Sequence, residues 1–276
     1  MNTTQQDPFV FSSQPPFYVR VGEAYQSIDL GDVPRTYDFS RELVSSITGC
    51  NNIATLITGA PNSKYAVFSA SRIRPEGIKG RIEFTEQGLK IANMPGDGCP
   101  SEPLRATIAS FALPADQRLF WNLRVQFGDA PENWLLTPSG VDPALVWQIK
   151  APGLQPSLAM VVDTDDKDPA KLMLFFNIKV NDQIERVGTV RGLIPYQPIN
   201  VLMEGLLDEQ DSDKGGRGFW RVKVNGKLAV DYLGPTLVKT AEAPHQWFIG
   251  LYRYLTFGPA FIPRTSYWSR AQLLGF

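Results

Sequence analysis

Between residues 120 and 127 the chain reads FWNLRVQF, in which Trp121, Leu123, Val125 and Phe127 alternate with Asn122, Arg124 and Gln126. Successive side chains of a strand point to opposite faces, so this segment has one apolar side and one hydrogen-bonding side. The same period recurs along the chain. In LRATIASF, Leu104, Ala106 and Ile108 oppose Arg105 and Thr107. In VWQIKAP, Trp147 and Ile149 oppose Gln148 and Lys150. In WFIGLYRYL, Gly250, Tyr252 and Tyr254 oppose Ile249, Leu251 and Arg253. SKYAVFSASRI, PSLAMVVD, KLMLFFNIKV and INVLMEGLL supply further strand-like runs.

Turn chemistry divides these runs. GRIEFTEQGLKIA reads as a hairpin, and in FWRVKVNGKLAVDY the Asn225-Gly226 pair supplies the two positive-φ positions of a type I′ turn. Many short strands at close spacing predict an all-β sandwich or jelly roll over residues 63–276. Residues 1–62, rich in Pro, Ser, Thr and Asn, read as an arm covering the sandwich, with a helix predicted over DFSRELVSSI capped by Asp38 or Ser40.

Composition sets limits on partners. The 276 residues are 43% hydrophobic, enough for a substantial single core. Lys+Arg 27 against Asp+Glu 28 leaves no global field to hold nucleic acid or an anionic membrane, so an anionic ligand must meet a local patch. No apolar run is long enough for a spanning helix. The N-terminus lacks the basic start and apolar stretch of a secretory leader, so the protein is either made without one or begins after it; an extracellular or particle-associated location is favoured over a cytoplasmic one.

Metal and redox chemistry are sparsely provided for. Cys50 and Cys99 are the only cysteines. They can form one disulfide in an oxidising compartment or stay as two small buried residues in a reducing one. Two cysteines and the single His245 do not suit a zinc site, and His245, beside Pro244, reads as a surface histidine. The acidic stretch LLDEQDSDKGGRG reads first as a solvated loop and is compatible with a structural calcium; no other cofactor is expected.

Placed in one sheet, the polar faces of these strands would make a cationic, aromatic surface suited to a sugar chain bearing carboxylates. Here the order of segments resembles the jelly-roll polysaccharide lyases, which include alginate, glucuronan and heparin lyases. That family's alginate lyases carry R-[ST]-E, Q-[IV]-H and Y-F-K-x-G-x-Y in that order. Arg105-Ala106-Thr107, Gln148-Ile149-Lys150 and Phe248-Ile249-Gly250-Leu251-Tyr252 stand in the corresponding places. PSLAMVV, GFWRVKVNGKLAVD and GLYR are similar to segments of the heparin and glucuronan branch. The chain departs from the pattern where Lys150 replaces the histidine, Thr107 replaces the acidic residue, and the third motif's lysine is missing.

The resemblance covers roughly residues 100–256 and implies a concanavalin-like β-jelly-roll of two antiparallel sheets with a concave cleft. It also implies β-elimination on a uronate-containing glycan. The C5 proton becomes removable once the neighbouring carboxylate is neutralised. Arg105 would clamp that carboxylate through paired hydrogen bonds, Gln148 would donate its amide and Lys150 would add charge. Tyr252 would act as base or acid, favoured as phenolate by nearby cations. Asn122, Arg124, Gln126 and Tyr254 would bind substrate. The partner implied is an acidic polysaccharide; oligomeric state is left open. Two other readings use the same fold: a non-catalytic carbohydrate-binding or structural module, as on a cell surface or phage particle, and an interaction protein whose N-terminal arm meets a partner.

Overall fold

In a computed structural model, residues 28–29, 44–46, 52–57, 66–71, 82–93, 104–110, 113, 118–128, 138–140, 142–151, 154–180, 183–210, 214–238, 245–253 and 264–275 are described; before residue 85, and over 104–110 and 272–275, the description is of the backbone. The strands are β1 (Ile28–Asp29), β2 (Val44–Ser46), β3 (Asn52–Ile57), β4 (Ala66–Ser71), β5 (Ile82–Thr85), β6 (Gly88–Asn93), β7 (Leu104–Ser110), β8 (Arg118–Phe127), β9 (Ala144–Lys150), β10 (Leu158–Thr164), β11 (Leu172–Val180), β12 (Gln183–Leu193), β13 (Ile199–Leu206), β14 (Phe219–Val224), β15 (Lys227–Leu233), β16 (Gln246–Arg253) and β17 (Arg264–Gly275).

They form two antiparallel sheets. The first runs β15-β14-β13-β8-β17-β6-β5, with β1 also on β17; the second runs β12-β11-β10-β9-β16-β7-β4-β3-β2. The alternation on β8 puts Trp121, Leu123, Val125 and Phe127 inside, where they meet Trp147, Ile149, Met160 and Phe176 of the second sheet. An aromatic chain crosses the interior. Trp121 meets Trp147 edge-on at 5.4 Å, Trp147 stacks on Trp220 at 5.8 Å, and Phe176 meets Trp220 edge-on at 5.8 Å. Each such pair contributes about 0.5–1.5 kcal/mol beyond its burial.

Both expected hairpins form. Thr85 and Gly88 close β5 on β6, and Asn225 (φ 47) and Gly226 (φ 81) turn β14 into β15. The Asn225 side chain also accepts from the Asn200 backbone N–H at 2.9 Å, tying the turn to β13. At the far flank β12 and β15, the end strands of the two sheets, approach so closely that a Cβ on Gly188 would lie 2.3 Å from the Ala229 carbonyl oxygen.

Several expectations are corrected. Val44–Ser46, inside the segment expected to be a helix, is a strand paired with β3, because β-branched Val44 finds a ladder partner in Ala54. Strands β1, β2 and β3, all within residues 1–62, are hydrogen-bonded into the sheets. Strands β12 and β17 were not foreseen: β12 is an edge strand exposed through much of its length, and a register shift after Trp268 breaks the alternation of β17. His245 is buried, 7% exposed, with its carbonyl bonded by the Leu113 N–H. In the acidic loop, Asp208 accepts from the backbone N–H of Gln210 and of Arg217, both at 2.8 Å, and these bonds hold its carboxyl below its ordinary range. Asp208 thereby organises the loop. Asp211, Asp213, Cys50, Cys99 and Tyr254 lie outside the described residues.

Candidate functional site

Strands β9, β16 and β7 are consecutive in the second sheet, and they carry Gln148 with Lys150, Tyr252, and Arg105. Trp147 and Ile149 are core residues, so Gln148 and Lys150 occupy the outer face as the alternation predicts. Core burial of Ile249 and Leu251 likewise places Tyr252 outward, half-buried. Arg105 occupies the ladder position directly opposite Tyr252, and Thr107 the position opposite Gly250. Gly250 has φ 143, a conformation that favours glycine, and it lies buried between the positions of Phe248 and Tyr252.

The register also sets distances. Gln148 pairs with Phe248, four residues along β16 from Tyr252, and a register shift lies between Ile249 and Tyr252. Lys150 pairs with Gln246, six residues from Tyr252 or about 20 Å. Its ammonium lies 6.0 Å from the Phe248 ring centroid. The structure thus brings Arg105, Thr107, Gln148 and Tyr252 around Gly250 and does not bring Lys150 to Tyr252.

The remainder of this face differs from the hydrogen-bonding surface expected. Continuing across the sheet from Tyr252, the cross-strand positions are Leu145, Val161, Phe175 and Thr189. Leu145, Ala159, Val161, Met173 and Phe175 form a buried apolar cluster against which Tyr252 packs. Gln148 itself is 3% exposed. At the rim, the Arg186 guanidinium stacks on Phe175 at 3.9 Å. Both faces of β9 and β10 are therefore covered.

Asn122, Arg124 and Gln126 are corrected more fully. Strand β8 belongs to the first sheet, and its polar residues point away from the shared core, so they lie across the whole sandwich from Tyr252. Local alternation told which residues share a face; it could not tell which sheet the strand joins.

A feature unforeseen as part of the site lies directly behind it. Arg253, one residue after Tyr252, points inward and is fully buried, donating from Nε to Asp142 Oδ1 at 3.1 Å and from a terminal nitrogen to Oδ2. Arg264, on β17 of the opposite sheet, lies 3.7 Å from the same carboxylate. Burial, then repulsion from Arg253, pushes the Arg264 guanidinium down to about 10 against the pull of Asp142 and Asp163. Burial raises the carboxyl of Asp163, although the Gly140 and Thr164 N–H groups bond its ionised form. The sequence did carry the signal: an arginine on the apolar side of a strand demands a buried partner.

No protein-family model matches the chain, and no curated protein matches it in sequence. Solved structures do match. An alginate lyase from Pseudomonas aeruginosa aligns over 71% of this chain and 86% of its own, with 13% identity and a TM-score of 0.50. The alginate lyase AlyC3, solved with dimannuronate, aligns over 71% and 78% with 10% identity and a TM-score of 0.51. A variant of the alginate lyase Aly36B, solved with an alginate tetrasaccharide, aligns over 71% and 83% with 10% identity and a TM-score of 0.51. At these identities the likeness is one of fold: the chain is an all-β jelly-roll sandwich of the kind the polysaccharide lyases use.

Proposed function

We propose that this protein is a polysaccharide lyase that cleaves a uronate-containing glycan by β-elimination on the outer face of the second sheet. The observation that carries the reading is the registration of Arg105 directly opposite Tyr252, with Gln148 on the strand at the other side of β16. In this reading Arg105 neutralises the substrate carboxylate, which lowers the cost of carbanion character at C5. Tyr252 takes the C5 proton and returns one to the departing glycosidic oxygen. One residue serving both steps suits elimination with both groups on the same side of the ring. The chemistry calls for no metal.

The distance of Lys150 from Tyr252 and the apolar cluster beside it favour a second reading, a glycan-binding module that does not cleave. Incubation with alginate, polyglucuronate, heparin and hyaluronate decides between them. An unsaturated uronate chromophore from any of these, reduced at least about 10²-fold in Tyr252→Phe, supports elimination. Retention on one polymer with no chromophore from any supports the module.

A further inference from the structure

We propose that the outer face of the first sheet, centred on Arg124 and Arg270, is a second binding surface for acidic polysaccharide, separate from the Tyr252 face. Arg124 on β8 and Arg270 on β17 stand directly opposite each other in the ladder, and both are exposed. Like charges in that relation repel. Two of the carboxylates on this face are engaged elsewhere: Glu204 pairs with Arg118, and Asp231 accepts from Arg221 at 2.8 Å. Neither Arg124 nor Arg270 has an ion pair with a described residue. An anion seated between them turns a repulsive pair into two attractive ones, and guanidinium groups grip carboxylates through two parallel bonds.

The surroundings favour a polymer over a single ion. Asn200 extends the Arg270–Arg124 row onto β13, and Asn122 and Gln126 flank Arg124 along its strand. These side chains repeat across strands at about 4.8 Å, a spacing comparable with one sugar ring. Next to the end of β8, where its N–H bonds the Phe127 carbonyl at 2.8 Å, sits Tyr196, exposed and held at φ 53. An exposed aromatic in that conformation carries a backbone cost and offers a ring for a sugar to stack on. The row is carried on rigid sheet, so little ordering is needed on binding.

The inference shares its ligand class with the proposed elimination and none of its chemistry. The test is electrophoresis of the folded protein through native gels containing alginate. The wild type is expected to be retarded, Arg270→Gln to be retarded less, and Arg124→Gln/Arg270→Gln to lose about tenfold or more in affinity. The double variant should melt no lower than the wild type, because the repulsive pair is gone. The comparison reads binding alone, so failure of the elimination reading leaves this result standing. Equal retardation of wild type and double variant, no retardation of the wild type, or equal retardation by gels carrying DNA would each overturn the proposal.

Discussion

Arg253 and Asp142, 111 residues apart in sequence, form a fully buried charge-assisted pair immediately behind Tyr252. The pair fixes the inward side of β16 at the residue next to the proposed proton-transfer group, and through Arg264 it also reaches the first sheet. Removing one partner of such a pair leaves charge without compensation. Asp142→Asn strands two buried guanidinium groups and is expected to cost about 3–5 kcal/mol, lowering Tm by roughly 10 °C. Thermal unfolding followed by circular dichroism checks this; an unchanged Tm would mean the cluster does not hold the sheets together.

Gly250 tests the backbone that carries Tyr252. At φ 143 any other residue is strained, so Gly250→Ala is expected to lose about 1–3 kcal/mol, read from the urea midpoint. Strain there also displaces Tyr252, two residues on. Activity normalised to folded protein should therefore fall in the variant, and a full retention of normalised activity would argue that this backbone does not position Tyr252.

Lys150 gives a prediction of no effect. Its register places it about 20 Å along the sheet from Tyr252. Lys150→Ala is expected to change turnover less than threefold, while weakening retention of longer chains. A hundredfold loss of turnover would restore Lys150 to the reacting centre.

His245 predicts a pH response. It is the one histidine of the chain, and burial holds its imidazole below the ordinary value of 6.5, with Glu209 pulling weakly the other way. The unfolded chain takes up a proton that the folded one refuses. Its contribution to stability is therefore complete above about pH 6.5 and declines as pH falls from there to the lowered folded value. Asp163, raised by burial, acts with the opposite sign, so the difference between wild type and His245→Gln isolates the effect. Urea midpoints between pH 4 and 8 should rise more steeply with pH in the wild type than in the variant.

Much of the fold was legible because its rules are local. The Asn225-Gly226 turn needs only two residues to specify it, and the alternation of Trp147, Gln148, Ile149 and Lys150 announces two faces without reference to any other strand. The error over Asn122, Arg124 and Gln126 arose because β8 pairs with β13 and β17, partners distant in sequence that no local pattern names. The apolar character of the Tyr252 face was hidden in the same way. Leu145, Val161 and Phe175 become neighbours only once β9, β10 and β11 are laid side by side. Position Gly250 was visible within its motif, but its positive φ is a backbone angle that the motif does not announce.

The approach of Gly188 to Ala229 has a mechanical meaning. Strands β12 and β15 touch there without sharing a ladder, so this flank is held by contact alone while other strand neighbours are laced by backbone bonds. Under load or heat the sandwich should part first along this seam, like a book whose covers meet but are not clasped, with the backbone ladders inside each sheet still bound.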